Sequence, residues 1–204
     1  INTILRVSFF RTNEMMTKLR QRAFPGVIPV LYTFITRSGH AVQDAELLVL
    51  GPDGMPQTAP EGKTADGVRI TFTSPDFEGK RTLYYFSTNI ANAGLQKSGF
   101  LNFLKSLPPS DAFIKSASYL PHRSHFSELR EFLLANANHL VQDDTGIPLT
   151  FFDAKKWDRL PFGNYHGPIN IFSKYYQPSM RRLFREKSRK PIDFGIGYRW
   201  RAGD

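Results

Sequence analysis

Apolar and polar residues alternate strictly from Val68 to Thr73, with Val68, Ile70 and Phe72 set against Arg69, Thr71 and Thr73. A two-residue period of this kind marks a strand with one buried face. Arg81 to Ser87, carrying Leu83, Tyr84, Tyr85 and Phe86, supplies an antiparallel partner across the polar 74–80 segment, so the pattern predicts a hairpin with a long tip. Ala45 to Leu50 reads as a further strand that stops at the turn Gly51-Pro52-Asp53-Gly54, and the Pro/Gly-rich stretch to Gly67 reads as a surface loop. Strands are also expected over Thr3–Phe10, Ala112–Ser118, His139–Gln142 and Phe194–Arg201. In the last of these Phe194, Ile196, Tyr198 and Trp200 alternate with Gly195, Gly197, Arg199 and Arg201, and two glycines on one face imply a close neighbour.

Helical periodicity is clearest after Ser124, a candidate N-cap, where Phe126, Leu129 and Leu133 form a stripe along His125–Ala137. Asn13 opens a helix to about Ala23, ended by Pro25-Gly26, and Phe100–Leu107 is a short helix stopped by Pro108-Pro109. The β-branched run Val27–Ile35 carries both signals, but Pro29 near its start and Gly39 beyond its end favour a helix. Helices interspersed among strands without strict alternation predict an α+β fold, a mostly antiparallel sheet with several short helices packed on it. The 204 residues are expected to form a single domain.

Composition changes this picture in three ways. Eighteen Phe, within a 41% apolar fraction, belong to a folded globular chain. The absence of cysteine excludes disulfides, thiolate metal sites and cysteine nucleophiles. The net charge of +9 is uneven: Phe151 to Asp204 holds 12 basic and 5 acidic residues, a net of +7, which leaves +2 for the rest. Such a basic C-terminal third is either a solvated surface or a face for an anionic partner such as nucleic acid, lipid headgroups or an acidic polymer. No apolar run approaches the length of a transmembrane helix.

The candidate chemistry gathers between Asp111 and Pro148. His122 and His125 stand where the chain enters a helix, and Asp143 and Asp144 leave the following strand. If helix and strand run antiparallel, imidazoles and carboxylates converge, as nitrogen and oxygen ligands of a divalent metal or as an acid/base pair. The spacing specifies no third ligand, so no metal and no cofactor is assigned. Asp144-Thr145-Gly146 matches the core triplet of aspartic proteases, but Gln142-Asp143 before it and Ile147-Pro148 after it depart from that pattern, and the triplet reads as an Asp-rich turn. Ser116, Ser118 or Ser124 with His122 and Asp143 would make a serine triad, yet no G-x-S-x-G elbow is present, and phosphate-cradling glycine motifs are equally missing.

Further along, Arg181, Arg182, Arg185, Lys187, Arg189 and Lys190 lie between Tyr175-Tyr176 and Tyr198 and Trp200. Aromatics that stack and cations that neutralise phosphates are the ingredients of a single-strand or polyanion surface. No nucleic-acid fold signature accompanies them, and the simpler reading is a helix with Met180, Leu183 and Phe184 inward and its cations in water. Trp157, Asp158, Tyr165, His166 and Tyr175 are candidates to line a polar pocket.

Several segments carry a resemblance: Lys115-Ser116-Ala117-Ser118-Tyr119-Leu120, His122, Phe126, Arg130, and Gln142 through Pro148. So do Phe162-Gly163-Asn164-Tyr165, Gly167-Pro168-Ile169, Tyr176-Gln177-Pro178 and Gly195 through Arg201. Together they resemble a family of bacterial exported proteins with no assigned activity. The resemblance implies a periplasmic or envelope location and a C-terminal portion of a longer protein. His122, Asp143, Asp144, Gly146 and Tyr165 fall on its motif positions, whereas His125 does not.

Three functions follow as expectations. The first is a non-enzymatic binding or assembly component whose contact surface includes Tyr165, Tyr176, Arg181, Arg182, Arg185, Arg199 and Trp200, with a protein or anionic polymer as partner. The second is a hydrolase using His122 with Asp143 or Asp144, metal-dependent or not. The third, least favoured, is nucleic-acid binding through residues 181–201.

Overall fold

The computed structural model describes residues 27–186 except 115 and 117. The strand expected over Thr3–Phe10, the helix from Asn13 to Ala23, the strand over Phe194–Arg201, and with them Lys187, Arg189, Lys190, Arg199 and Trp200, lie outside the described residues. The chain divides between Pro108 and Pro109 into two compact units.

The first unit is built on an antiparallel sheet of β1 (Ala41–Leu50), β2 (Pro56–Thr58), β3 (Gly67–Ser74) and β4 (Phe77–Phe86), in the order β2-β1-β3-β4. The alternation in β3 delivers Val68 and Ile70 to one face, where neither keeps any solvent exposure. Register sets Val68 between Leu47 and Tyr85, and Ile70 between Ala45 and Leu83. Helix α1 (Ile28–Arg37) packs here through Ile28 and Ile35, seven residues apart on one stripe, with Leu31 and Tyr32 beside them. Pro29 sits in its first turn, where a missing N–H costs no hydrogen bond. The hydroxyls of Thr33 and Thr36 return to the carbonyls of Pro29 (2.8 Å) and Tyr32 (2.9 Å), so the ambiguous β-branched run is helical.

The strands exceed their expected bounds, and the hairpin tip is the main correction. Thr73 pairs with Lys80 and Ser74 with Phe77, so the turn is Pro75-Asp76 with a bulge, not a long loop. Ladder hydrogen bonds are made by the backbone, and polar side chains such as Glu78 and Lys80 extend an exposed strand end without leaving an apolar signature. Similarly, Pro56–Thr58, read as loop, pairs with β1 at the sheet edge, where proline is tolerated.

Helix α2 (Asn92–Ser98), which the pattern did not announce, meets α3 (Phe100–Ser106) at Gly99. Phe103 and Phe100 of α3 stand edge-on to Phe86 of β4, with ring centroids 5.0 and 5.9 Å away, and Phe103 also meets Tyr84 at 5.1 Å. Gly99 (φ +68°) and Gly54 (φ +83°) bring the 51–54 turn against this helical joint backbone to backbone. A Cβ on Gly99 would fall 2.1 Å from the Gly51 carbonyl, and one on Gly54 2.5 Å from the Phe103 nitrogen.

The second unit holds a two-stranded parallel sheet, β5 (Ala112–Ile114) and β6 (Leu140–Gln142). Between the strands come single 3-10 turns at Leu120–His122 and Ser124–Phe126, then α4 (Ser127–Asn136). Beyond β6 follow 3-10 turns at Leu149–Phe151 and Asn170–Tyr175 and helix α5 (Pro178–Glu186). β5 is shorter than the expected Ala112–Ser118, because the Ser116 N–H leaves the ladder direction for the Thr145 hydroxyl (2.8 Å). Ser124 is not the cap expected: it lies inside a 3-10 turn, and α4 starts at Ser127 behind Phe126 with no side-chain capping bond. Of the expected stripe, Phe126 is buried and Leu129 and Leu133 are half-buried, but the residue that α4 itself buries most deeply is Arg130. In α5 the expectation holds, with Met180 buried, Leu183 and Phe184 half-buried and Arg181, Arg182 and Arg185 exposed.

The described residues are therefore α+β, with a mainly antiparallel sheet and a small parallel one. Among them no helix is long and apolar enough to cross a membrane.

The backbone contact at Gly99 is testable. Gly99→Ala should lower the free energy of unfolding by about 2 kcal/mol or more, because strain and a clash add. Gly39→Ala, with the same sign of φ but open space around it, should cost only about 1 kcal/mol. Denaturant titration of the two variants checks this, and equal losses would mean that the approach to Gly51 is not tight.

Candidate functional site

The chain leaving β6 forms a turn held by hydrogen bonds from side chains and backbone alike. Asp143 Oδ1 accepts the Thr145 N–H (3.0 Å) and the Thr145 hydroxyl (2.5 Å), and the Asp143 carbonyl accepts the Gly146 N–H (3.2 Å). This is an Asx turn, in which a short carboxylate replaces a backbone acceptor. Gln142 fixes the next step by exchanging two bonds with the backbone of Ile147, at 2.9 and 2.7 Å. A side chain on Gly146 would collide with Gln142, its Cβ 2.4 Å from Oε1. The Thr145 hydroxyl accepts the Ser116 N–H, and the Ser116 hydroxyl accepts the Leu120 N–H (2.9 Å), so Ser116 works as a buried structural acceptor.

Tyr119 is the residue the turn holds most firmly. It is the one non-glycine residue with positive φ among those described (φ 54°, ψ 38°), a conformation costing about 1–2 kcal/mol for an L-residue. Its hydroxyl donates to Asp144 Oδ2 (2.7 Å), and its ring stacks on Tyr175 at 4.7 Å and 6°. Burial, reinforced by the Asp144 carboxylate, pushes the Tyr119 hydroxyl far above the ordinary phenol range. It is a permanent donor.

His122 stands edge-on to Tyr119 (5.1 Å) and Tyr175 (5.2 Å), with Nε2 3.2 Å from the backbone carbonyl of Asp144. A carbonyl only accepts, so Nε2 carries the proton. Burial lowers the His122 pKa, with Asp144 and the Gly146 backbone opposing the shift, so the ring favours its neutral form around pH 7. The Asp144 carbonyl also accepts from Gln177 Nε2 (3.2 Å), while Gln177 Oε1 accepts the Leu149 N–H (2.8 Å) and the Gln177 N–H donates to the Tyr165 hydroxyl (3.0 Å). Arg130, only 7% exposed, ties down the preceding turns by donating to the carbonyls of Pro121 (2.8 Å) and Arg123 (3.4 Å). Its guanidinium lies 4.1 Å from the Phe151 ring centroid.

These contacts leave a cleft of about 270 Å³ bounded by His122, Pro148, Thr150, Lys174, Tyr175, Tyr176 and Gln177, with Pro178 and Ser179 at the start of α5. His122 and Asp144 are thus neighbours, through a backbone oxygen. The Asp144 carboxylate faces Tyr119, and that of Asp143 faces Thr145. His125 is exposed against Phe126 and takes no part. Among the described residues no three histidine or carboxylate side chains converge as a metal site.

Of the residues expected to line a polar pocket, Tyr175 does so. Tyr165 lies behind it, stacked on Tyr176 and meeting Phe184 of α5, while Trp157 packs edge-on to Phe152, and Asp158 and His166 are exposed. Tyr176 is on the cleft, and Arg181, Arg182 and Arg185 are on the outer side of α5. Residue-type reasoning passed over Tyr119, Arg130 and Gln177.

Two outcomes follow. Tyr119→Phe should destabilise the chain by about 1–3 kcal/mol by stripping a donor from the Asp144 carboxylate, as read by thermal or denaturant unfolding. As pH falls below the ordinary imidazole value of about 6.5, the unfolded chain takes up a proton that His122 in the fold does not, so the unfolded state binds more protons and stability declines. That contribution is complete above the unfolded pKa and is lost as pH falls toward the lowered folded one. His122→Gln should therefore flatten the stability profile between about pH 7 and about pH 5, and an unchanged slope would show that His122 titrates normally.

No protein-family model, curated protein or solved structure matches the chain.

Proposed function

We propose that the second unit is a non-enzymatic binding module, an envelope or periplasmic component of a larger assembly. It takes an anionic polymer or acidic protein partner on its basic, aromatic C-terminal face. The observation that supports this most is the division of labour in α5 and the cleft beside it. Met180 and the half-buried Phe184 anchor the helix, while Arg181, Arg182 and Arg185 are left in solvent. Lys174 and Tyr176 continue the surface at the rim of the cleft. Guanidinium groups with freely presented donors suit carboxylates and phosphates in a way that paired ones do not.

Hydrolysis is the second reading, favoured by a neutral imidazole on a concave surface. It would use His122 Nδ1 as base, with Asp144 positioning the ring only through its main chain. Support for it is weaker, because each carboxylate already serves a neighbouring hydroxyl: Asp144 that of Tyr119, Asp143 that of Thr145. Nucleic acid is the third candidate partner, and it shares the same arginines.

The test is retention of the full chain on immobilised polyglutamate as salt is raised. Binding should weaken steeply between about 50 and about 200 mM salt, and Arg181→Ala/Arg182→Ala should cut affinity about tenfold and lower the log–log salt slope by about two. No retention at low salt, or retention unaffected by the double variant, would overturn the proposal. Turnover of ester or glycoside substrates abolished by His122→Ala would favour the hydrolase.

A further inference from the structure

Six of the ten exposed large hydrophobic residues among those described fall between Phe151 and Tyr176, a concentration that scattered surface apolar residues do not show. Ile171 is 72% exposed and Ile169 55%. Neither is a loose side chain on a loose loop. On the inner side of the same segment Phe172 and Tyr175 pack on Tyr119, with centroids 5.4 and 4.7 Å away. At its end Tyr176 stacks on Tyr165, and Gln177 is bonded to Tyr165, Leu149 and Asp144. The 169–176 segment is thus two-faced, with aromatic rings inward and two isoleucines, Lys174 and Tyr176 outward.

The chemistry around the isoleucines narrows what they meet. They do not line the cleft beside His122. Polyanion binding alone gives them no role: phosphates are held by cations and bases by aromatic rings, and a branched aliphatic chain offers neither. Residues 151–186 hold seven cations, Lys155, Lys156, Arg159, Lys174, Arg181, Arg182 and Arg185, against three acidic residues, Asp153, Asp158 and Glu186; of the cations, Lys174 belongs to the isoleucines' own segment, and Arg181, Arg182 and Arg185 are exposed on α5. Phe184 of α5 meets Tyr165, which stacks on Tyr176, each at 6.0 Å between ring centroids, and this places α5 beside the segment that carries Tyr176. Exposed aliphatic side chains in a cation-rich stretch that also carries a tyrosine are the composition of a surface that seats at a lipid–water boundary.

We infer that this face docks on an anionic bilayer, with Ile169 and Ile171 entering the headgroup–acyl boundary and Lys174, Arg181 and Arg182 neutralising phosphate headgroups. This deepens the anionic-partner reading above and rests on it. The attachment is peripheral and reversible. Burying one isoleucine strengthens partitioning about tenfold, and each cation near an anionic surface adds about fivefold.

The experiment is co-sedimentation of the full chain with mixed phosphatidylcholine–phosphatidylglycerol vesicles, with pure phosphatidylcholine vesicles and soluble polyglutamate as parallel arms. The mixed vesicles should capture the chain and the neutral ones should not. Ile171→Ser should lower the partition coefficient about tenfold with polyglutamate binding unchanged. Ile171→Trp should bind at least as well as the parent, since tryptophan favours the interface. Loss in both variants, vesicle binding indifferent to Ile171→Ser, or polyglutamate binding without vesicle binding would each overturn the inference and leave the anionic-partner reading standing. Failure on vesicles and polyglutamate together would remove both.

Discussion

The backbone carbonyl of Asp144 holds the second unit together. It accepts from His122 and from Gln177, which lie 22 residues before it and 33 after it, while the carboxylate of the same residue takes the Tyr119 hydroxyl. Three separated segments meet at one peptide unit. The need for such a point is physical: two paired strands of three residues each bury little, and the chain has no cysteine to cross-link its long connections. A satisfied polar network in a partly dry setting can specify one arrangement of irregular chain where apolar area alone cannot. The strained backbone of Tyr119 is the local cost. It is offset by the ring stack on Tyr175 and by the hydroxyl bond, both of which require the left-handed turn to aim the ring inward.

The same network bears on function. The Asp144 carboxylate accepts the Tyr119 hydroxyl, and the residue meets the neighbouring imidazole through its main-chain carbonyl. Asp143 is committed in the same way to the Asx turn. His122 is left with one nitrogen fixed by a peptide carbonyl and a neutral ring at the edge of a cleft. That arrangement gives a rigid rim lined by aromatic rings, hydroxyls and Lys174. Rigidity of this kind favours recognition, because a preformed surface loses little entropy on binding.

How much of this could be read from the residues depended on whether a signal is local. The alternation in β3 and the stripe of α5 are set by burial of side chains two, three or four positions apart, and both are plain in the sequence. The hairpin tip and β2 were misread because backbone pairing runs through Pro56, Ser74 and Lys80 without any apolar alternation. Arg130 broke an apolar stripe. A charged residue at a core position looks like a solvent-facing one until its carbonyl partners, seven and nine residues back, are known. His122 and Asp144 could be placed near one another by supposing that strand and helix run in opposite directions. That the link would run through a carbonyl, with the carboxylate turned to a tyrosine, depends on the left-handed conformation of Tyr119. No residue preference announces that conformation, since tyrosine seldom adopts it.

The inner and outer faces of the 169–176 segment follow from one another. The backbone of Asn170–Tyr175 kinks at Phe172, and the rings of Phe172 and Tyr175 both pack on Tyr119. With those two rings held inward, Ile171 and Lys174 are left exposed. An aliphatic residue kept 72% exposed by a well-anchored turn forgoes the stabilisation that burial would bring, and the inner network supplies the rigidity that lets the segment hold it there. The hydrogen bonds around Asp144 thus serve a surface with no direct contact to them, by deciding which side chains the loop can hide and which it must present.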